Sequence, residues 1–211
     1  MELLSIQVGL PQSFQWRGKT VYTAIHKKPV EGPVFVHSTH LDGDKVGDPK
    51  VHGGEFKAVY GYSHAVYPWF YKRLGVQTLE MGAFGENLTF DELDEKDLCI
   101  GDELHVGDCR LQVVQPRFPC STLNFKFDDL QMVKKFSESG RPGIYFRVLK
   151  EGYIEKGDEA AVVHRDPNKV PLQTLFELIQ KKPVEKKLLE KALNIDVLTE
   201  SFRRKIQKHL D

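Results

Sequence analysis

The segment Gln115-Pro116-Arg117-Phe118-Pro119-Cys120 joins a thiol to two prolines and a guanidinium. Each proline fixes its own φ and steers the residue before it to extended backbone, so the pair presents Cys120 at a set position rather than on a floppy loop. Arg117, three residues upstream, can stabilise the thiolate, the form that binds a soft metal or attacks an electrophile. The other two cysteines differ. Cys99 lies between Leu98 and Ile100 and Cys109 precedes Arg110-Leu111, strand-like settings in which free cysteine is a core or edge residue.

Two further segments offer polar chemistry. In His52-Gly53-Gly54-Glu55-Phe56-Lys57 a glycine pair lets successive backbone N–H groups converge on an anion, and Lys57 adds a point charge. The same pair serves equally as a tight turn, and His52 as a satisfied hydrogen-bonding group. The spacing matches neither a Walker loop nor a dinucleotide fingerprint. In Gly82-Ala83-Phe84-Gly85-Glu86-Asn87 two glycines permit an unusual backbone path, and Asn87 can read a polar heterocycle or satisfy buried backbone groups.

The elements that must hold these segments are short. Runs at 2–8, 20–26, 103–106, 110–115, 143–149 and 160–164 are apolar or β-branched and bounded by Gly, Pro or Asp, the rhythm of a barrel or sandwich. Gly107-Asp108 predicts a hairpin turn. A helix is expected near 63–74, with Pro68 starting or kinking it. Another is expected over 128–139, with Asp128 as N-cap, an apolar face of Leu130, Val133 and Phe136, and Gly140 as its stop. After residue 165 the pattern turns helical: Pro171 precedes Leu172, Leu175, Phe176 and Ile179 at helical spacing, and helices over 185–193 and 199–210 follow, Phe202 and Ile206 facing inward.

Composition divides at the same place. All 17 glycines lie at or before Gly157. Residues 166–211 hold ten Lys plus Arg against seven Asp plus Glu, so the tail carries +3 and the remainder −3 in a chain of 30 against 30. With no net charge the whole has no pull toward nucleic acid or anionic membrane. Arg203, Arg204, Lys205 and Lys208 read as a solvated helix face before they read as a nucleic-acid contact. No run of 18 apolar residues and no signal-peptide core is present, so the chain is read as cytoplasmic and off the membrane. Its 211 residues are enough to bury roughly 70% of the unfolded surface. Three cysteines spaced ten and eleven apart fit neither a disulfide framework nor the four thiolates of an ordinary iron–sulfur cluster.

The order of the segments is more specific than any one of them. His-Gly-Gly-x-x-Lys-Ala-Val, Gly-Glu-Asn-Leu, Gly-Asp, Gln-Pro-Arg-x-Pro-Cys and Gly140-Arg141-Pro142-Gly143-Ile144-Tyr145-Phe146-Arg147 together resemble the MOSC family, named for the C-terminal domain of molybdenum cofactor sulfurase. The resemblance spans about residues 34–164, and the helical extension is similar to that of the YiiM branch, reductases of N-hydroxylated bases such as 6-hydroxylaminopurine.

That resemblance implies a mainly β fold with α: a MOSC β-barrel with peripheral helices over 1–165, then a small C-terminal three-helix bundle over 166–211. It implies the molybdenum cofactor, a molybdopterin, with Cys120 as thiolate ligand to the metal and His52 beside it for hydrogen bonding or proton delivery. Gly53, Gly54, Lys57, Asn87, Arg117, Arg141 and Arg147 become the cofactor-binding candidates. Val51 is apolar, so where relatives carry a polar residue proton delivery here leans more on His52 and water. Phe84, Phe118 and Tyr145 are candidates to stack a purine-like substrate. The implied reaction is detoxifying reduction of N–OH to N–H, with electrons from an external flavoprotein or iron–sulfur donor, because the chain shows no flavin, haem or ferredoxin motif. The basic tail then offers a docking surface for an acidic reductase or a homodimer contact. Two readings from other classes stay open: a sulfur carrier with a persulfide on Cys120, and a noncatalytic binding module.

Overall fold

The computed structural model of the chain describes residues 1–211, the side chains of Lys50 and Val51 excepted. The expectation drawn from Val51 therefore lies outside the described residues. In chain order the elements are β1 (Leu3–Val8), β2 (Gln12–Trp16), β3 (Lys19–Thr23), β4 (Lys28–Val30), β5 (Val34–Val36), α1 (Pro49–His52), β6 (Val59–Ser63), α2 (Tyr67–Leu74) and β7 (Leu88–Phe90). There follow β8 (Glu103–Val106), β9 (Cys109–Pro116), α3 (Ser121–Lys126), α4 (Met132–Glu138), β10 (Ile144–Lys150), β11 (Gly152–Ile154), β12 (Ala160–His164), α5 (Leu172–Ile179), α6 (Lys186–Ala192) and α7 (Glu200–Leu210).

Eight strands form one mixed sheet in the order β12-β8-β9-β10-β6-β7-β1-β4, antiparallel except for the β6–β7 pair. The expected barrel is corrected to an open sheet, because among the described residues no ladder joins its ends. Among the described residues the two flanks are drawn together by the Glu2–Glu159 bridge and by bonds from Leu3 N to Asp158 O (2.9 Å), Gly157 N to Leu3 O (2.8 Å), Ala160 N to Met1 O (2.7 Å) and the Met1 amino group to Ala160 O (3.3 Å). β2 and β3 pair with each other as a separate hairpin, and β5 pairs with β11. The Gly107-Asp108 turn is present between β8 and β9, with Val106 opposite Cys109.

Two apolar clusters fill the interior. The larger lines the sheet with Ile6, Leu104, Val113 and Phe146 and continues into the tail through Leu172, Leu175, Leu189, Phe202 and Ile206. The three tail helices share this cluster with the sheet. The break in composition near residue 165 marks a change of secondary structure within one continuous core. The smaller cluster is aromatic, with Tyr60, Tyr62, Tyr67, Phe70, Phe84 and Phe136. At Gly143 (φ 72°) it meets the backbone so closely that a Cβ would sit 2.6 Å from the Tyr62 ring. Only glycine fits a left-handed site so crowded.

The helix expected over 128–139 starts later, at Met132. Asp128 has φ 45° and, instead of capping, accepts a hydrogen bond from Trp16 Nε1 at 2.8 Å. Met132 replaces Leu130 on the buried face, Leu130 being 55% exposed. The strand expected over 20–26 ends at Thr23, because residues 24–27 turn in to form part of a cavity wall. Among the described residues no helix is long and apolar enough to cross a membrane.

Candidate functional site

Cys120 sits where β9 has run out and α3 begins. Its backbone is extended (φ −121°, ψ 171°), and its carbonyl accepts the first bond of the helix from Leu123 N at 2.9 Å. Burial pushes the thiol up, but hydrogen bonds with His52 and Thr122 and the charge of Arg117 outweigh it and bring the thiol down to about 6. The sulfur is a thiolate at neutral pH, partly open to a cavity of about 330 Å³. Cys99 and Cys109 are the reverse: burial, followed by nearby carboxylates, raises them to about 11 and about 12.

His52, the last residue of α1, lines the same cavity, as does Lys57, at the end of a single helical turn over Glu55–Lys57. Burial holds the Lys57 ammonium below its ordinary value. Gly53 and Gly54 are not in the wall. They make the tight turn that sets His52 and Lys57 together: Gly54 has φ 93°, and a Cβ on Gly53 would meet Pro49 O at 2.8 Å.

Asn87 borders the cavity while its amide is fully used. Oδ1 accepts from Tyr60 N (3.2 Å), and Nδ2 donates to Gln7 O (3.3 Å) and Asp44 Oδ2 (2.9 Å). Asp44 also accepts from Gly9 N (2.8 Å) and from the ammonium of Lys27, and this pair is almost wholly buried at 8% and 5% exposure. The pair is not evident from the sequence, since nothing local shows that residues 17 apart will face each other. Burial drives the Lys27 ammonium down, and Asp44 opposes it.

Arg117 is the buried cation of the site. Its guanidinium lies 5.2 Å over the Tyr60 ring and 5.3 Å over the Phe136 ring, and it hydrogen-bonds Tyr145. Nη1 has no hydrogen-bond partner among the described residues. A buried donor without an acceptor costs about 1–3 kcal/mol, more when charged, so this atom marks a place for an anion or carbonyl.

The other sequence candidates are placed elsewhere. Arg141 pairs with buried Glu95 (Nε–Oε2 2.5 Å) and donates to Leu93 O (2.7 Å), and Arg147 donates to Gln112 Oε1 at 2.7 Å. Neither lines the cavity. Phe84 is fully buried in the aromatic cluster, and Phe118 stacks on Phe176 and Phe202 of the tail. Tyr145 does reach the cavity wall, beside Tyr60.

Cys120, Arg117, Lys45, Lys57 and the buried Lys27–Asp44 pair therefore line one cavity. No three His, Cys, Asp or Glu among the described residues could hold a metal by themselves. A metal at Cys120 must bring most of its own donors, on a carrier whose negative charge the cations can meet.

Known proteins share the sequence and fold that carry these residues. The family model of the MOSC domain matches residues 48–161. The chain is 34% identical over 209 residues to the uncharacterized protein YflK of Bacillus subtilis, covering 99% of this chain and 94% of that one. It is 35% identical over 175 residues to a protein of Gibberella moniliformis named "Reductase", covering 82% of this chain but 31% of the fungal one. Among solved structures, YiiM from Geobacillus stearothermophilus superimposes with a TM-score of 0.80 at 31% identity, over 100% of this chain and 99% of that one.

Proposed function

The chain belongs to the MOSC domain family, and from that premise we propose that it is a molybdenum cofactor-dependent reductase of N-hydroxylated compounds such as 6-hydroxylaminopurine. The observation that carries the reading is that Cys120, its thiol lowered, and the buried cation Arg117, with Nη1 unpartnered among the described residues, line one cavity. A soft thiolate suits molybdenum, and an orphaned guanidinium donor suits the polar edge or phosphate of a pterin. Lys45 and Lys57 add positive charge around the same space, Lys27 being paired with Asp44. Arg141 and Arg147 have no part in this set, being committed to Glu95 and Gln112.

When bound, the cofactor supplies a two-electron redox couple and a position able to take the substrate's oxygen. The net reaction breaks one N–O bond, consumes two electrons and two protons, and yields the amine and water. The electrons come from a flavoprotein or iron–sulfur donor outside the residues described. The fungal relative's name, "Reductase", supports a redox role for the segment it shares with this chain.

The protein's own part is positional. Cys120 holds the metal end. His52, hydrogen-bonded to the Cys120 sulfur, is the side chain that would deliver a proton beside it. Tyr60 and Tyr145 close the inner wall against water, and Asn87, tied to Asp44 and to the Tyr60 backbone, fixes that wall in place.

The test is expression in a cofactor-competent host, molybdenum quantitation, and an assay with 6-hydroxylaminopurine and an artificial electron donor. Stoichiometric molybdenum, turnover to adenine, and loss of both in Cys120→Ser are expected. Loaded protein that is inert, or Cys120→Ser that keeps its molybdenum, would overturn the reading. Cyanide-labile sulfur without metal would replace it with the persulfide carrier.

A further inference from the structure

The aromatic groups at the cavity are Tyr22, His40, His52, Tyr60 and Tyr145, and all but one are occupied. Tyr60 and Tyr145 pair at 5.3 Å, His40 stacks on His37 at 4.7 Å, and His52 bonds Cys120. Tyr22 has neither a ring partner nor a side-chain hydrogen bond among the described residues, and 59% of it is exposed. A tyrosine ring left bare at the mouth of a polar cavity is an unused stacking face.

Its backbone is nonetheless held. Tyr22 lies in β3, opposite Ser13 of β2, and the hairpin is fastened to the segment that follows Cys120: Phe14 and Trp16 pack on Phe125 of α3, and Trp16 Nε1 donates to Asp128. On the cavity side Gly47 approaches β3 so closely that a Cβ there would sit 2.9 Å from Tyr22 O. The ring is thus carried by a strand fixed between the Cys120 segment and the Gly47 loop, at no ordering cost beyond its own two side-chain torsions.

We propose that Tyr22 is a specificity-determining residue, the platform on which a planar, aromatic N-hydroxylated substrate stacks at the cavity mouth. The inference rests on the reductase reading above and narrows it: flat heterocycles are favoured over small acyclic hydroxylamines, which present no face to stack.

Tyr22→Ala and Tyr22→Phe in the cofactor-loaded protein test this, with 6-hydroxylaminopurine against N-hydroxyurea as substrates and adenine, the reduced product, as a binding probe. Stacking of a base on an aromatic side chain predicts that Tyr22→Ala raises KM for 6-hydroxylaminopurine and weakens adenine binding about tenfold. Tyr22→Phe is expected to behave as wild type, with kcat, molybdenum content and the KM for N-hydroxyurea unmoved in both variants. Unchanged adenine affinity in Tyr22→Ala, an equal loss on both substrates, or loss of molybdenum would each overturn the proposal. If wild-type protein reduces neither compound, the reductase reading fails by itself and the adenine titration decides: weakened binding in Tyr22→Ala upholds the platform, and unchanged binding removes it.

Discussion

Arg117 and Phe118 are neighbours in the chain that point into different cores. The guanidinium of Arg117 lies against Tyr60 and Phe136 in the aromatic cluster, whereas the Phe118 ring lies 5.8 Å from Phe202 and 6.4 Å from Phe176 in the tail. Lys205 covers that seam, 5.7 Å from the Phe118 ring and 5.4 Å from Phe202. The two residues before Pro119 therefore bolt the Cys120 segment to both halves of the interior. Phe118→Ala is expected to lower unfolding stability by about 2 kcal/mol, below the range for a fully buried phenylalanine because the ring is partly exposed. Urea denaturation measures it, and a loss under about 0.5 kcal/mol would mean that the tail does not grip this segment.

Alkylation of Cys120 should follow its lowered thiol. Labelling with iodoacetamide, followed by mass spectrometry across pH, is expected to reach half its maximal rate near pH 6 rather than near the 8.5 of an ordinary thiol. His52→Ala should move the midpoint upward. The sign for stability follows from the same shift. The folded thiol lies below the unfolded one, so its contribution is full above about pH 9 and is lost as pH falls through about 6. A midpoint near 8.5 in the wild type would contradict the thiolate.

Arg141 and Arg147 separate stability from cofactor binding. Removing the Arg141 side chain leaves the Glu95 carboxylate, 1% exposed and already pushed up by burial, with backbone N–H groups, its own and that of Gly143, as donors. Arg141→Ala should cost about 2–3 kcal/mol, reduced from the buried-pair range because the arginine is itself partly open to water. Arg147→Ala, losing one hydrogen bond to Gln112, should cost about 1 kcal/mol. Molybdenum per folded protein should be unchanged in both. Loss of metal at wild-type stability would return these arginines to the cofactor.

The parts legible from sequence were those whose cause is local. β8 and β12 keep their expected bounds because β-branched runs end at glycine, proline or charged residues. Cys120 stood out because two prolines and an arginine act within six residues. What escaped depends on the chain meeting itself. The Lys27–Asp44 pair and the Asn87 amide that braces it exist only once three segments are packed together. α3, six residues long and starting directly after Pro119-Cys120, gives too short a periodic signal to detect. Phe84 was a stacking candidate by closeness in sequence, yet its flanking glycines turn it into the core, 4.4 Å from the ring of Phe70. Arg203 was grouped with a basic docking face. In the fold Nη1 and Nη2 donate to Leu193 O (2.5 Å) and Ile195 O (2.7 Å), closing the end of α6, which spacing in a charge run does not foretell.

The contrast among the three thiols has a practical side. Two are buried, their thiols raised to about 11 and about 12, while the third, lowered to about 6, opens onto the cavity. The native chain thus carries its own single-site handle. A fluorophore, spin label or mercurial added in equimolar amount will report from the cavity wall without any cysteine being engineered out, and the arrival of a ligand can be watched as protection of one sulfur.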